Sequence, residues 1–346
     1  MTNQTVSDAI DQVASGEDLT SEQAERVLHE IMSDAVPDVQ TAAFLIALRT
    51  KGETVAELVG LARTMRALAL AVEVPGDDLL DTAGTGGGTS TFNVSTTAAF
   101  IAAGAGCRVA KHGNRSATSL CGSADLLEAL GARLEVGPAG VARCIEDVGF
   151  GFMFAPQHHQ ATRHVVPVRK QLGVRTIFNF LGPLTNPAGA TRQLIGVSDA
   201  RYLETIAGAL GELGCRRALV VASADGMDEV GIARETRVID VSSGRVTAYT
   251  IEPEQVGLAR APLDSVRGGT PTENADTSRR ILSGEPGSRR DLAVLNAGAA
   301  LVAAELVSTI EEGARLAEEA IDSGSALDAM ERFVAKTVEL APQKQA

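Results

Sequence analysis

A chain of 346 residues with 45% hydrophobic and 22% charged side chains is long enough for one large domain or two unequal ones. A formal net charge of −13 argues against broad binding to nucleic acid or an anionic membrane, so any positive charge that meets a phosphate must be concentrated. With 3% aromatics, no Trp and 35 Gly, the core must come from aliphatic side chains and close helix packing, which suits an α/β enzyme. Cys107, Cys121, Cys144 and Cys215 show no CxxC spacing and lie in or beside apolar segments, so buried reduced thiols are expected. Residues Met1 to Asp18 are polar and acidic, and no run of about 18 apolar residues occurs, so a soluble, cytoplasmic protein is expected.

Residues 1–73 carry the helical period throughout, in Val6, Ile10 and Val13, then Ala24, Val27, Leu28 and Ile31, then Ala42 to Ala47. Ser21 with Glu22 and Glu25 marks a helix start, Pro37 a first helical position, and Thr54 a cap. A bundle of about four or five helices is expected, serving packing or dimerisation.

At Val74-Pro75-Gly76 the pattern changes. Short apolar strands are expected at Leu79–Thr82, Arg108–Ala110, Arg133–Val136 and Gly151–Phe154, with helices Ser95–Gly106 and Ser123–Leu130 between them. Such alternation predicts a parallel sheet. Residues 158–190 interrupt it with His158, His159, Arg163, His164, Arg169, Lys170 and Arg175, and then with Asn179 to Pro187. Helices here are expected to return to the N-terminal bundle. The alternation resumes in strand Leu194–Val197, helix Ala200–Leu213 and strand Ala218–Ala222. A hairpin follows at 236–251, and 272–340 is mostly helical. The predicted fold is α/β: a small helical domain (1–73, joined by 158–190) and a larger α/β domain (74–157 and 191–346) with a mostly parallel sheet.

The chemistry concentrates in two strand-end loops. Asp81 to Thr96 runs from a strand into a helix, and Gly84, Gly86, Gly87 and Gly88 let backbone N–H groups approach an anion. Asn93, Ser95 and Thr96 add donors at the helix N-terminus. A lone Gly-Thr-Gly-Gly is as compatible with a simple turn, and neither the Walker pattern nor the dinucleotide fingerprint fits. The second loop, Lys111-His112-Gly113-Asn114-Arg115-Ser116, places an ammonium at a strand end, where an anion normally accompanies it. In open α/β sheets ligands sit beyond the carboxyl ends of the strands, so both loops imply one site. Asp228-Glu229 follows another strand. The pair reads as a solvated turn on its own, or as a Mg²⁺ site bridged by a diphosphate. His158 and His159 lack a third ligand at zinc spacing.

Seven segments in order resemble the anthranilate phosphoribosyltransferase family: Gly84–Gly87, Thr91–Thr96, Lys111–Ser116, Gly122–Asp125, Arg175–Asn179, Leu181–Pro187 and Asp225–Glu229. The similarity spans essentially the whole chain. It implies transfer of phosphoribosyl from phosphoribosyl pyrophosphate to the amine of anthranilate, in tryptophan synthesis, by a Mg²⁺-dependent homodimer joined through the helical domain. It further implies donor binding by Gly84, Gly87, Gly88, Thr91, Asn93, Val94, Ser95, Thr96, the run Lys111, His112, Gly113, Asn114, Arg115, Ser116, Ala117, Thr118 and Ser119, and Ser123. Lys111 would stabilise the leaving group, and Ser95, Asp228 and Glu229 would hold metal. Gly84, Asn114, His159, Arg169 and Gly182 would line the anthranilate path. No general base is assigned, because an arylamine is already unprotonated at neutral pH.

The sequence departs from the family pattern in the cradle. The family continues Gly-Thr-Gly-Gly with Asp-Gly, whereas Gly88-Thr89-Ser90 here is one residue shorter and carries no carboxylate; Gln160 also replaces a usual Pro. Three other readings compete: a relative with another aromatic acceptor, a nucleoside phosphorylase of the same architecture, and a nucleic-acid-binding relative, which the −13 charge disfavours.

Overall fold

The computed structural model describes residues 2–116 and 119–342. Its first four helices are α1 (Gln4–Ala14), α2 (Ser21–Met32), α3 (Asp38–Lys51) and α4 (Val55–Ala67). Thr20 and Thr54 form capping boxes with Gln23 and Glu57, which satisfy the free amides that open α2 and α4. Pro37, expected at the first helical position, is instead the N-cap of α3, one residue before the helix begins at Asp38. Glu57 is fully buried; its carboxylate accepts from Leu19 N at 3.0 Å and pairs with Lys51 at 3.1 Å, tying the start of α2 to α4. The two helices cross at Gly60, where a Cβ would lie 2.2 Å from the Ser21 carbonyl oxygen.

The α/β part begins with β1 (Leu79–Gly84), α5 (Val94–Gly104), β2 (Arg108–Gly113), α6 (Ser123–Leu130), α7 (Gly137–Val148) and β3 (Phe150–Phe154). Three short helices follow: α8 (Ala155–His158), α9 (Val166–Leu172) and α10 (Phe178–Leu181). Next come β4 (Arg192–Gly196), α11 (Leu203–Glu212), β5 (Arg217–Ser223), β6 (Thr236–Ser242) and β7 (Arg245–Ile251). The chain closes with α12 (Pro271–Leu282), α13 (Ser288–Ala303), α14 (Ile310–Asp322) and α15 (Ser325–Leu340). Strand order is β3-β2-β1-β4-β5-β6-β7; the first five are parallel, and β6 and β7 add the expected antiparallel hairpin. The chain winds outward from β1 in one direction through β2 and β3, then crosses to β4 on the other side. That reversal opens a crevice at the carboxyl ends of β1 and β4.

One face of the sheet packs against α5, α13 and α15, and α14 packs in turn on α13 and α5. Every residue of α13 from Leu292 to Ala303 is buried. Small residues let these helices touch backbone to backbone: a Cβ on Gly298 would sit 2.7 Å from Ala314 N, and one on Gly104 2.6 Å from Ala326. Phe100 stacks on Phe150 at 4.3 Å and Phe333 meets Phe150 edge-on at 4.7 Å. On the other face, Ile195, Val197 and Val220 share a core with α11, with Leu28, Leu45 and Leu58 of the bundle, and with Val165, Val168, Phe178, Phe180 and Leu181. The interrupting segment thus packs against the N-terminal helices.

The expected strand at Arg133–Val136 does not form. Arg133 N donates instead to Thr337 Oγ1 of α15 at 3.0 Å, and Leu134 is buried against the helical layer, so the link runs across helices and never joins the ladder. It leads into α7, which the strand reading passed over although Pro138 in its first turn and Gly149 at its C-cap announce it.

Candidate functional site

The crevice is built by two loops that interlock. β1 ends in Gly84 and the paired β4 ends in Gly196, and both lie against Asp228. A Cβ on Gly84 would be 2.4 Å from Asp228 Oδ2, and one on Gly196 1.6 Å from the Asp228 carbonyl oxygen. Gly86 N donates to Asp228 Oδ2 at 2.8 Å. Gly86 and Gly87 take φ of +65° and +76°, the left-handed turn that glycine favours. Thr89 N then donates to the Gly226 carbonyl at 3.0 Å, and its hydroxyl to the Asp225 carbonyl at 3.0 Å. Thr91 Oγ1 donates to Glu229 Oε1, also at 3.0 Å. The shortened link therefore stays in place without a carboxylate because Thr89 fastens it to the 225–229 loop.

Beyond the turn, Val94 is buried and α5 begins with no side-chain cap on its first amides. Asn93 is committed elsewhere: its amide donates to the Cys121 carbonyl at 3.2 Å, and its Oδ1 accepts from Asn274 at 2.9 Å. Thr96 Oγ1 is buried with no partner among the described residues. Lys111 is 2% exposed, and its ammonium lies beneath the helix start. It donates to the Thr82 carbonyl, and at 3.2 Å each to Thr82 Oγ1 and Ser95 Oγ. Burial pulls this ammonium down to about 8, against the pull of Asp81 and Asp228.

The second loop is ordered by its own ion pairs. Arg115, stacked over Phe154 at 5.5 Å, binds Asp125 at 2.8 Å and Glu128 at 2.6 Å. Ser116 N donates to Asp125 at 3.3 Å, and Ser119 N to Ser116 Oγ at 2.7 Å. Ser123 Oγ donates to the Asn114 carbonyl at 3.2 Å, and a Cβ on Gly113 would meet that hydroxyl at 2.3 Å. Ala117 and Thr118, expected at the donor site, lie outside the described residues.

A wall faces these loops. His112 Nδ1 meets the Gly182 carbonyl at 3.2 Å, His159 Nε2 meets the Thr185 carbonyl at 3.1 Å, and the two rings are 5.1 Å apart. Burial, reinforced by a neighbouring imidazole, holds His112 down to about 3 and His159 to about 4, so both are neutral. A Cβ on Gly182 would meet nothing within 4 Å, which leaves this stretch of wall open. The Arg169 guanidinium lies 5.3 Å over the Phe178 ring, and among the described residues it has no carboxylate partner. His158 is instead structural, meeting the Leu70 carbonyl at 2.8 Å.

The carboxylates are short of positive charge. Burial lifts Asp228 above its ordinary value against the pull of the Gly86 N–H, Arg175 and Lys111, and burial beside Asp228 lifts Glu229 well above its own. Glu229 Oε2 and Asp225 Oδ2 are buried without partners among the described residues. Adjacent oxygen donors with orphaned lone pairs fit a hard divalent cation. Among the described residues no group of three or more His, Cys, Asp or Glu is placed to hold a metal ion, so such an ion would draw its other ligands from hydroxyls, water and a bound anion.

Several contributors escaped the sequence reading. Arg175 donates to Ser198 Oγ at 3.0 Å and the Thr85 carbonyl at 3.4 Å, and Ser198 Oγ donates to the Gly86 carbonyl at 2.9 Å. Buried Asp81 accepts from His112 N at 3.1 Å and Asn186 Nδ2 at 2.7 Å, joining β1, β2 and the 182–187 turn. The Arg-Thr-Ile-Phe-Asn run that begins at Arg175 was the available signal, but nothing local says that it bonds a loop 90 residues away.

A glycine cradle at the switch point of a parallel sheet, facing paired carboxylates and a helical wall, is the design of a transferase acting on phosphorylated sugars. Residues 76–327 match the glycosyl transferase family a/b domain, and residues 7–69 match that family's helical bundle domain. The anthranilate phosphoribosyltransferase of Symbiobacterium thermophilum is 54% identical over 323 residues, which is 93% of this chain and 95% of that one. That of Rubrobacter xylanophilus is 54% identical over 94% and 96%. The crystal structure of the Thermus thermophilus enzyme superposes with a TM-score of 0.91 at 47% identity, covering 96% of this chain and 99% of that one. The Saccharomyces cerevisiae enzyme in complex with PRPP and Mg gives 0.89 at 28% identity, over 98% and 99%. The chain belongs to the anthranilate phosphoribosyltransferase family.

Proposed function

We infer that this protein transfers the phosphoribosyl group of phosphoribosyl pyrophosphate to the amine of anthranilate and releases pyrophosphate, as a pentosyltransferase of tryptophan biosynthesis. The observation that carries this reading is the interlock of Gly84–Thr91 with Asp225–Glu229, which sets an anion cradle against uncompensated carboxylates. Mg²⁺, held by Asp228, Glu229 and Ser95, would neutralise the charge of the diphosphate leaving group. The chain's own groups do the rest. The turn amides and the uncapped start of α5 bind the donor, and the Lys111 charge beneath Ser95 favours negative charge above it. The second loop, through Asn114, Ser116, Ser119 and Ser123, contributes to the same donor site.

Displacement at the ribose carbon passes through an oxocarbenium-like state, so alignment of the amine matters more than its activation. Arg169 suits the acceptor carboxylate, since its planar fork has no carboxylate partner among the described residues and is braced by Phe178. The neutral imidazole of His159, with Gly84, Asn114 and Gly182, completes the acceptor path without adding charge. The helical part, 1–73 with 158–190, supplies this wall. The same helical part is the surface through which a homodimer would form. Four free, buried cysteines support a reducing, cytoplasmic setting, and no helix among the described residues is long and apolar enough to cross a membrane.

Purified protein with Mg²⁺ and phosphoribosyl pyrophosphate should quench anthranilate fluorescence, in step with release of pyrophosphate. Turnover of another arylamine with none of anthranilate would overturn the acceptor. Phosphorolysis of a nucleoside without use of the diphosphate donor would favour the phosphorylase reading.

A further inference from the structure

We propose that Arg175 is a positioning residue of the donor site, which sets the direction of the amides in the Gly86–Gly88 turn without touching the donor. The inference rests on the donor-site reading above. It begins from the turn itself, since a trans peptide points the carbonyl of one residue and the N–H of the next in opposite directions. The Thr85 carbonyl accepts from Arg175 Nη2 at 3.4 Å, so the Gly86 N–H is thrown to the other side, where it meets Asp228 Oδ2 at 2.8 Å. The Gly86 carbonyl accepts from Ser198 Oγ at 2.9 Å, and Ser198 Oγ accepts from Arg175 Nη1 at 3.0 Å. The Gly87 N–H is turned away from that network and has no partner among the described residues. It is left as a free donor for an anion.

Arg175 is itself held from two sides. Its guanidinium stacks 5.6 Å over the Phe180 ring, and its carbonyl accepts from Arg49 Nη1 of α3 at 2.9 Å. Phe180 stacks on Tyr202 at 4.0 Å, and the Tyr202 hydroxyl donates to Glu53 Oε2 at 3.2 Å. The orientation of the cradle is thereby tied to the loop between α3 and α4. Gly87 completes the argument, because a Cβ there would lie 2.3 Å from Arg175 Nη1. That glycine serves a left-handed φ and also leaves room for the guanidinium.

The test is steady-state kinetics of Arg175→Ala, Arg175→Lys, Ser198→Ala and Gly87→Ala, with the double variant Gly87→Ala/Arg175→Ala. Loss of a charge-assisted pair of bonds should raise the donor KM of Arg175→Ala by about 10- to 100-fold. The anthranilate KM should stay within about two-fold. Lysine keeps the charge but cannot hold two acceptors while stacking, so Arg175→Lys should resemble Arg175→Ala. Ser198→Ala, which cuts the link at its far end, should also raise the donor KM, and it carries the test if the arginine variants fail to fold. Gly87→Ala should cost less in the Arg175→Ala background than alone. Recovery of the donor KM in Arg175→Lys, or strict additivity of the two substitutions, would overturn the inference. A wild-type protein that ignores the diphosphate donor would instead sink the functional reading beneath it.

Discussion

Gly196→Ala isolates the steric logic of the site. Gly196 does not have a left-handed φ, so alanine meets no backbone strain, and its new Cβ is the whole perturbation. That Cβ would lie 1.6 Å from the Asp228 carbonyl oxygen and 2.4 Å from its carbon, against the 3.4 Å where ordinary contact begins. The Asp228 backbone must retreat by more than an ångström, while metal ligation tolerates only about 0.2 Å. Overpacking of this kind costs about 1–3 kcal/mol. Unfolding entropy of roughly 2.1 cal/mol/K per residue then translates this into a fall in Tm of only about 1–4 °C for a chain this long. Activity should suffer far more, because misplacing a site by about 1 Å costs on the order of 100-fold. Differential scanning calorimetry and Mg²⁺ titration of turnover measure the two effects separately. Gly211→Ala, late in α11 with only Val241 Cγ1 at 3.8 Å, is the control and should gain up to about 1 kcal/mol. A Gly196→Ala protein with wild-type Tm and Mg²⁺ response would refute the packing argument.

Other expectations follow from the same contacts. Asp228→Asn with Glu229→Gln should abolish metal-dependent turnover yet leave Tm equal or higher in metal-free buffer, since burial disfavours the charge of both carboxyls. Arg169→Ala should raise the anthranilate KM about 10- to 100-fold by removing a charge-assisted contact, with little change in the donor KM. Lys111 has its folded value depressed from 10.5 to about 8, so below pH 8 both folded and unfolded states carry the charge and the burial cost is present in full. Between pH 8 and 10.5 the unfolded chain binds the extra proton, so stability rises with pH, by up to about 3 kcal/mol. The deficit of the metal-free wild type relative to Lys111→Met in urea unfolding should therefore shrink from about pH 7.5 to about pH 10. Glu57→Ala leaves Lys51 without its buried partner and should cost about 3–5 kcal/mol in calorimetry.

Legibility followed the range of the interactions. The end of β1 at Gly84, the 236–251 hairpin and the caps at Thr20 and Thr54 were readable because apolar periodicity and turn chemistry are local, whereas Lys111, expected just past a strand, lies inside β2. Arg133–Val136 misled because a short apolar run bonds equally well to a helix side chain, and only the neighbour, Thr337, decides between them. The same limit hid the partners of Asn93 and Arg115. Both were read as donors for a ligand, yet they spend their hydrogen bonds on Cys121 and Asn274, and on Asp125 and Glu128. Arg175 stood in a recognisable run, but its partners lie just past the ends of β1 and β4, which sequence spacing does not bring together.

The glycines of the cradle divide by purpose. Read from sequence, Gly84, Gly86, Gly87 and Gly88 were one flexible, anion-seeking stretch, but only Gly86 and Gly87 take a left-handed φ. Gly84 and Gly88 are glycine because Asp228 Oδ2 and the Gly226 carbonyl occupy the space of their side chains, at 2.4 and 2.3 Å. Two glycines shape the turn, and two admit the carboxylate loop to its edge. The second pair explains how a site for a polyanion comes to lie against Asp228 and Glu229, an arrangement that electrostatics alone would forbid. The turn amides and the acidic pair are parts of one structure, and a divalent cation held by the carboxylates would reconcile their charge with that of a polyanion. Thr89, which fastens the shortened link to Asp225 and Gly226, lets this chain keep that structure without the extra carboxylate of the family pattern.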